Sequence, residues 1–309
     1  MAVDILCMGE PMLEFNQLPR GPDGRVLYLQ GHGGDTSNAA IAAARQGVRA
    51  GYITAIGPDY AGDSFMELWQ AEGVDTSTVI RSAEAPTAVY LVTHDAGGHH
   101  FTFYRSGSAA SRYTPRDVPE AAIAAAKIFY ASGISQAIST SAADAVFHAI
   151  AVAKRSGVKV AYDTNLRLRL WPPQRARAII EAAIAMADMA FPSREDALAL
   201  TGLSDPDAIA DHYLRLGCPL VAVKCGADGA LLATASGVRI RAPGHGVNAV
   251  DATGAGDTFC GAFMARTVLG DDAAKALAYA NAAAALSTTG YGAVAPIPRP
   301  EAVRALLGC

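Results

Sequence analysis

From about Pro115 onward, apolar runs too short for helices alternate with stretches of helical period: "KIFYAS", "SAADAVFHAIAVAKRSG", "VKVAYDTN", "RARAIIEAAIAMA", "DMAFPS", "DAIADHYLRLG" and "PLVAVKCG". Short strand-like runs separated by amphipathic helices predict βαβ units. Crossovers between parallel strands are right-handed, so such units build a parallel sheet with helices on both faces. Ligands of these sheets lie beyond the carboxyl ends of the strands. That rule singles out Asn165 and Arg167 after "VKVAYD", and Lys224 and Gly226 after "PLVAV".

Two stretches break the alternation. Residues 12–35 carry turn formers around the short run "RVLYLQG", and residues 86–106 read as a hairpin, "TAVYLVTHDAGGHHFTFYRSG". Its loop is Asp95-Ala96-Gly97-Gly98, with His99 and His100 just beyond the tip. Neither stretch can hold a core of its own. Together they predict a small β lid over the ligand edge of the sheet, whose strand edges offer a surface for a second subunit and hence a homo-oligomer.

The segment "VDATGAGDTF" sets two acids, Asp251 and Asp257, around Gly254-Ala255-Gly256, and runs into "DTFCGAFMARTVLG", which has the period of a buried helix. Two readings fit. Asp257 is an ordinary N-cap or first-turn residue, or the bare turn and the helix dipole form an anion site with an acid behind it. Neither G-x-x-x-x-G-K-[ST] nor G-x-G-x-x-G occurs in this turn, and these ten residues alone do not choose.

Composition narrows the function classes. At 309 residues with 51% hydrophobic content, the chain can bury a large core. Its net charge of −4 and the lack of Lys/Arg runs argue against nucleic acid as a partner. The N-terminus has no cationic leader region and the apolar runs are too short to span a bilayer, which predicts a soluble cytoplasmic protein with no membrane partner. Cys7, Cys218, Cys225, Cys260 and Cys309 are scattered and odd in number, and the seven histidines form no H-E-x-x-H. Neither a disulfide framework nor a zinc site is expected.

The ordered set of motifs is more informative than any member of it. "GHGGDTSNAAIAAARQG", "DTNLR", "KCGADGALL" and "VDATGAGDTFCGAF" stand in the order and spacing of the ribokinase-like, or phosphofructokinase-B type, carbohydrate kinases. The resemblance runs from Met8-Gly9-Glu10 to "NAAAALSTTGYGA" and covers nearly the whole chain. Within that family "MGEPMLEF", "FYRSGSAAS" and "DTNLRLRLWP" are most similar to 2-keto-3-deoxygluconate kinases.

The resemblance implies a ribokinase-like three-layer α/β fold, with a central mostly parallel sheet flanked by helices and a small β-sheet lid. It implies a single kinase domain over residues 1–309, with lid segments at roughly 12–35 and 86–113. ATP with Mg²⁺ would be the donor, a small sugar acid the acceptor, and K⁺ a possible companion ion. In phosphoryl transfer the protein chiefly positions reactants and neutralises charge. The backbone N–H groups of Gly254, Ala255 and Gly256 would hold γ-phosphate oxygens, and Asp257 would take the proton of the attacking hydroxyl. Gly33, Gly34, Asn38, Tyr90, Phe103, Arg105 and Arg167 fall on the acceptor side. Asn165, Arg167, Lys224, Gly226, Gly229 and Asn281 fall on the nucleotide side.

Some positions have two readings. The family's N-x-x-E pattern reads "SRED" here, so Asp196, with Ser193 before it, would hold Mg²⁺ through a water. Asp251 is either a ligand of a monovalent cation or a structural cap. Glu14 either grips sugar hydroxyls or caps a turn. Lys224 is either a nucleotide ligand or a solvent-exposed lysine. Guanidinium suits the carboxylate of a sugar acid, and in "FTFYR" the pleat puts Phe101, Phe103 and Arg105 on one face and Tyr104 on the other. Phe103 stands where these kinases usually place a tyrosine. A kinase for a neutral acceptor such as fructose or ribose, and a non-catalytic sugar or nucleotide sensor, are the competing functions.

Overall fold

A computed structural model describes residues 3–95 and 98–308. Ala96 and Gly97 of the expected hairpin loop, and Cys309, lie outside the described residues. Among the described residues thirteen strands form: β1 (Ile5–Met8), β2 (Met12–Leu18), β3 (Leu27–Gly33), β4 (Ala50–Ile56), β5 (Val79–Arg81), β6 (Ala88–Asp95), β7 (Gly98–Tyr104), β8 (Ile128–Ser132), β9 (Lys159–Asp163), β10 (Met189–Ala190), β11 (Leu220–Lys224), β12 (Gly229–Thr234) and β13 (Arg239–Pro243).

Nine of them make one sheet in the order β13-β12-β11-β10-β9-β8-β1-β4-β5. From β11 to β5 every pairing is parallel, while β12 and β13 close the other edge as antiparallel strands. The inner strands are apolar throughout because helices cover both faces; Ile128–Ser132 and Val160–Asp163 are entirely buried. The connecting helices Thr140–Arg155, Pro173–Met186 and Pro206–Arg215 arise from the three amphipathic stretches of the sequence. The first is capped by Ser139, whose side chain accepts from Ala142 N–H, and the third by Asp205, which accepts from Ala208 N–H.

The other four strands form a separate small sheet, β3-β2-β6-β7. Its centre is a parallel pair, β2 with β6, flanked by antiparallel β3 and β7. Two distant pieces of chain therefore build one sheet, and Tyr90 on β6 faces Phe103 on β7 across the antiparallel pair.

Two helices frame the carboxyl edge of the large sheet, Asp35–Arg45 and Ala255–Val268. They cross closely at Gly261, where a Cβ would fall 2.3 Å from the Ala39 carbonyl oxygen. Any larger residue would push them apart. That close crossing brings the first turns of both helices to one place. No helix among the described residues is long and apolar enough to cross a membrane.

Candidate active site

The glycine turn opens a helix, and its acid lies in the first turn of that helix. Gly254 is the N-cap of the Ala255–Val268 helix, with φ 76°, and no side chain caps the helix. The left-handed backbone and the Ala293 carbonyl, 2.9 Å from where a Cβ would sit, both require glycine there. Ala255 N–H closes the turn on the Ala252 carbonyl at 3.2 Å, and since no side chain caps the helix, its N-terminus is otherwise open to a ligand.

Asp257 sits in the first turn but does not cap it. Its Oδ2 accepts a 2.8 Å hydrogen bond from Asn38 Nδ2 on the neighbouring helix. The carboxyl is buried, and burial together with the charge of nearby Asp35 pushes its pKa up to about 7, against the opposing hydrogen bond from Asn38. Asp257 is thus a first-turn residue and not the N-cap, which is Gly254. A carboxyl poised near neutrality in the first turn of a helix without a side-chain cap can take a proton from a hydroxyl as that hydroxyl attacks an anion at the helix N-terminus.

Behind the turn lies a second charged group. Lys224, at the carboxyl end of β11, donates a 2.6 Å bond from Nζ to Asp163 Oδ2 at the carboxyl end of β9. The Asp163 side chain is only 1% exposed, so it needs this cation. The same ammonium lies 3.3 Å from the place a Cβ would take on Gly256. Lys224 is therefore no free surface lysine; it is held against the anion turn. Burial opposes its charge, but Asp163 prevails and keeps it protonated. Cys260 Sγ, one turn into the helix, points at the same Asp163 oxygen from 3.4 Å.

Asn165 has a left-handed backbone, φ 25°, steadied by its N–H donating to Asp163 Oδ1 at 3.2 Å. Its Nδ2 donates to Asp35 Oδ2 at 3.0 Å. Asp35 Oδ1 and Asn38 Oδ1 are buried without a hydrogen-bond partner. Asp196 lies in the first turn after Ser193, whose hydroxyl caps Asp196 N–H, and accepts from Thr164 Oγ1 at 2.8 Å. Burial and the proximity of Asp163 raise its pKa, with Lys224 opposing. A single half-buried carboxyl near Asp163 and Lys224 fits Mg²⁺, which takes few protein ligands and keeps its waters.

The residues expected on the acceptor side gather at the small sheet and the start of the Asp35–Arg45 helix. Tyr90 is buried, donates its hydroxyl to Glu14, and stacks on Phe103 with ring centroids 5.6 Å apart. Glu14 is thus a partner of Tyr90 rather than a turn cap. Gly33 and Gly34 bring the backbone against Tyr90 and Glu10: a Cβ would stand 2.7 Å from the Tyr90 hydroxyl and 2.6 Å from the Glu10 carbonyl oxygen, respectively. Arg105 follows β7 with its guanidinium 6.0 Å from the Phe103 ring centre, as the pleat predicts, and its Nε donates to Glu10 Oε2 at 2.8 Å.

Other singled-out residues have local structural work. Both oxygens of Asp251 serve the backbone turn, Oδ1 accepting from Thr253 N–H and hydroxyl and Oδ2 from Gly292 N–H. Asn281 donates to the Pro243 carbonyl at 2.7 Å, tying its helix to the end of β13. Gly229 is needed because a Cβ would lie 2.0 Å from the Ala242 carbonyl, whereas Gly226, at φ 61°, faces open space. Arg167 is exposed and donates to the Leu166 carbonyl; among the described residues no acidic side chain pairs with it. The sequence reading overlooked Glu10, Asp35, Asp163 and Cys260. The first three carry one shared signal, an acid just beyond a buried strand or glycine turn at the ligand edge.

Residues 4–300 match the pfkB family carbohydrate kinases. The chain belongs to that family. Among its relatives, the 2-dehydro-3-deoxygluconokinase of Thermoproteus tenax is 34% identical over 99% of this chain and 94% of its own length. A putative ribokinase II from E. coli, solved in complex with ATP and Mg²⁺, superposes with a TM-score of 0.90 at 28% identity, over 99% of each chain. A fructokinase from Xylella fastidiosa with bound ATP gives 0.87 at 27% identity, over 99% of this chain and 98% of that one. This pfkB-family protein is a sugar kinase with the ribokinase-like fold, its mostly parallel sheet accompanied by the separate four-stranded sheet.

Proposed function

We propose that this kinase transfers the γ-phosphoryl group of ATP to the 6-hydroxyl of 2-keto-3-deoxygluconate. Asp257 removes the hydroxyl proton as the new O–P bond forms and the bond to the departing ADP breaks. The N–H groups of Gly254, Ala255 and Gly256 hold the oxygens of the transferring group. Asn38 aims Asp257, and Lys224, held by Asp163, adds positive charge behind Gly256. Asp196 would hold Mg²⁺ through water, and the ion would neutralise phosphate oxygens. Asn165, Gly226, Gly229 and Asn281 border the nucleotide; Gly33, Gly34, Tyr90 and Phe103 border the acceptor, whose carboxylate meets Arg105 and Arg167.

The observation that carries the chemistry is the buried Asp257 carboxyl, held by Asn38 with a pKa near 7 at the mouth of an uncapped helix. The sugar acid is supported by the Thermoproteus tenax relative and by Arg105 at the acceptor side. A neutral acceptor is favoured by one observation: the Xylella fastidiosa fructokinase superposes over 99% of this chain with a TM-score of 0.87. Acceptor-dependent ADP release from Mg-ATP with 2-keto-3-deoxygluconate, 2-keto-3-deoxygalactonate, gluconate, fructose and ribose separates the two. Preference for fructose or ribose defeats the acid reading.

In the same proposal the chain acts as one kinase domain, and the small sheet is its lid, closing over the acceptor to exclude water. Its outer strand β3 leaves Leu27, Tyr28 and Leu29 exposed, which suits pairing with a second copy; a monomer by light scattering would refute that. Asp251 orders the loop next to the anion turn, and a monovalent cation there would raise kcat when K⁺ is added.

A further inference from the structure

We infer that Glu10 is a positioning residue that fixes Arg105 so that one edge of its guanidinium is presented to the acceptor's carboxylate. This rests on the sugar-acid reading above. Glu10 stands just beyond β1 in the large sheet, whereas Arg105 follows β7 in the small one. Their contact joins the two sheets beside the acceptor side of the site. The Glu10 side chain has no exposure at all, and that of Arg105 is 13% exposed. Ser108 Oγ donates to Oε1 of the same carboxylate, and Ser108 N–H donates to the Arg105 carbonyl at 3.1 Å, so carboxylate, guanidinium and turn form one closed unit.

A guanidinium has five N–H donors arranged on fixed edges. Glu10 takes the Nε edge through the 2.8 Å bond to Oε2. Nη2 touches the same oxygen but points no hydrogen at an acceptor, although it is buried. An unsatisfied buried donor is costly. A ligand carboxylate spanning Nη1 and Nη2 would satisfy it bidentately. Without Glu10 a long arginine would carry its charge to solvent, and the open edge would no longer have a fixed direction. Burial raises the pKa of Glu10, and Arg105 and Ser108 oppose this by favouring the charged form. The pair is therefore mutually dependent: each partner holds the other in place.

A double-mutant cycle tests the inference, using wild type, Glu10→Gln, Arg105→Met and the double variant. Each is assayed for kcat and KM with 2-keto-3-deoxygluconate and for thermal melting without ligand. Glu10→Gln keeps the size of the side chain but removes the charge assistance to Nε. It should raise KM for the acid about tenfold, with a smaller change in kcat. In the Arg105→Met background the same substitution should change KM less than twofold, while restoring melting temperature by removing an unpaired buried carboxylate. Ser108→Ala, a milder change, should raise KM in the same direction. An unchanged KM in Glu10→Gln, or an equal rise in both backgrounds, overturns the inference while leaving the acid reading intact. A wild-type enzyme that phosphorylates fructose or ribose but not the acid overturns both.

Discussion

Replacing Asp257 by asparagine should stabilise the fold and stop the reaction, and the first effect has a worked pH dependence. The carboxyl has an ordinary pKa of 3.8 and one near 7 in the folded chain. Between those values the native state holds a proton that the unfolded chain has released, so stability falls as pH rises through this window. Each pH unit corresponds to about 1.4 kcal/mol, and above pH 7 the ionised group costs the fold up to about 4 kcal/mol. The neutral Asp257→Asn side chain carries no such cost, and its amide oxygen can still accept from Asn38. Urea denaturation of both proteins at pH 5 and pH 8 measures the difference. The variant's advantage should grow by about 2–3 kcal/mol between those two values. A constant gap, or a wild type that is the more stable at pH 8, would refute the picture of a carboxyl strained by burial and by Asp35.

Three further outcomes follow from the same contacts. The kcat/KM profile should lose activity on the acid side with an apparent pKa near 7, and Asp35→Asn should move that limb to lower pH because one neighbouring negative charge is gone; a flat profile from pH 5.5 to 8 contradicts it. Gly254→Ala must adopt φ 76° and approach the Ala293 carbonyl, so it should cost roughly 1–3 kcal/mol by denaturation and lower kcat as the N–H groups lose their aim. Lys224→Met leaves Asp163 buried without its cation and should destabilise by about 3–5 kcal/mol; adding Asp163→Asn should recover stability but not turnover, and recovery of both would remove Lys224 from the site.

The alternation of periods made the parallel part of the sheet legible, because strands buried on both faces read as continuous apolar runs. The antiparallel edge was harder: β12 begins at the end of the "KCGADG" turn, and in the motif reading its glycines bordered the nucleotide rather than a hairpin. For Gly229 the steric demand of Ala242 is sufficient on its own. The parallel pairing of β2 with β6 could not be read, since it joins segments separated by more than sixty residues. At the site, Gly254-Ala255-Gly256, Asp257 and Asn38 were visible as motifs with roles drawn from the resemblance, but the contact between Asn38 and Asp257 was not. Only the close helix crossing at Gly261 shows why Asn38 reaches Asp257. The partners of buried charges stayed hidden for the same reason. Nothing in sequence spacing tells that Lys224 ends on Asp163, Tyr90 on Glu14, or Arg105 on Glu10.

The central claim, a kinase whose base is Asp257, is tested most directly by acceptor-dependent ADP release from Mg-ATP in Asp257→Asn beside wild type, with ATP binding checked by calorimetry. The account predicts unchanged nucleotide affinity and a loss of at least about 100-fold in kcat. Turnover at the wild-type rate would contradict it and require another group to take the proton.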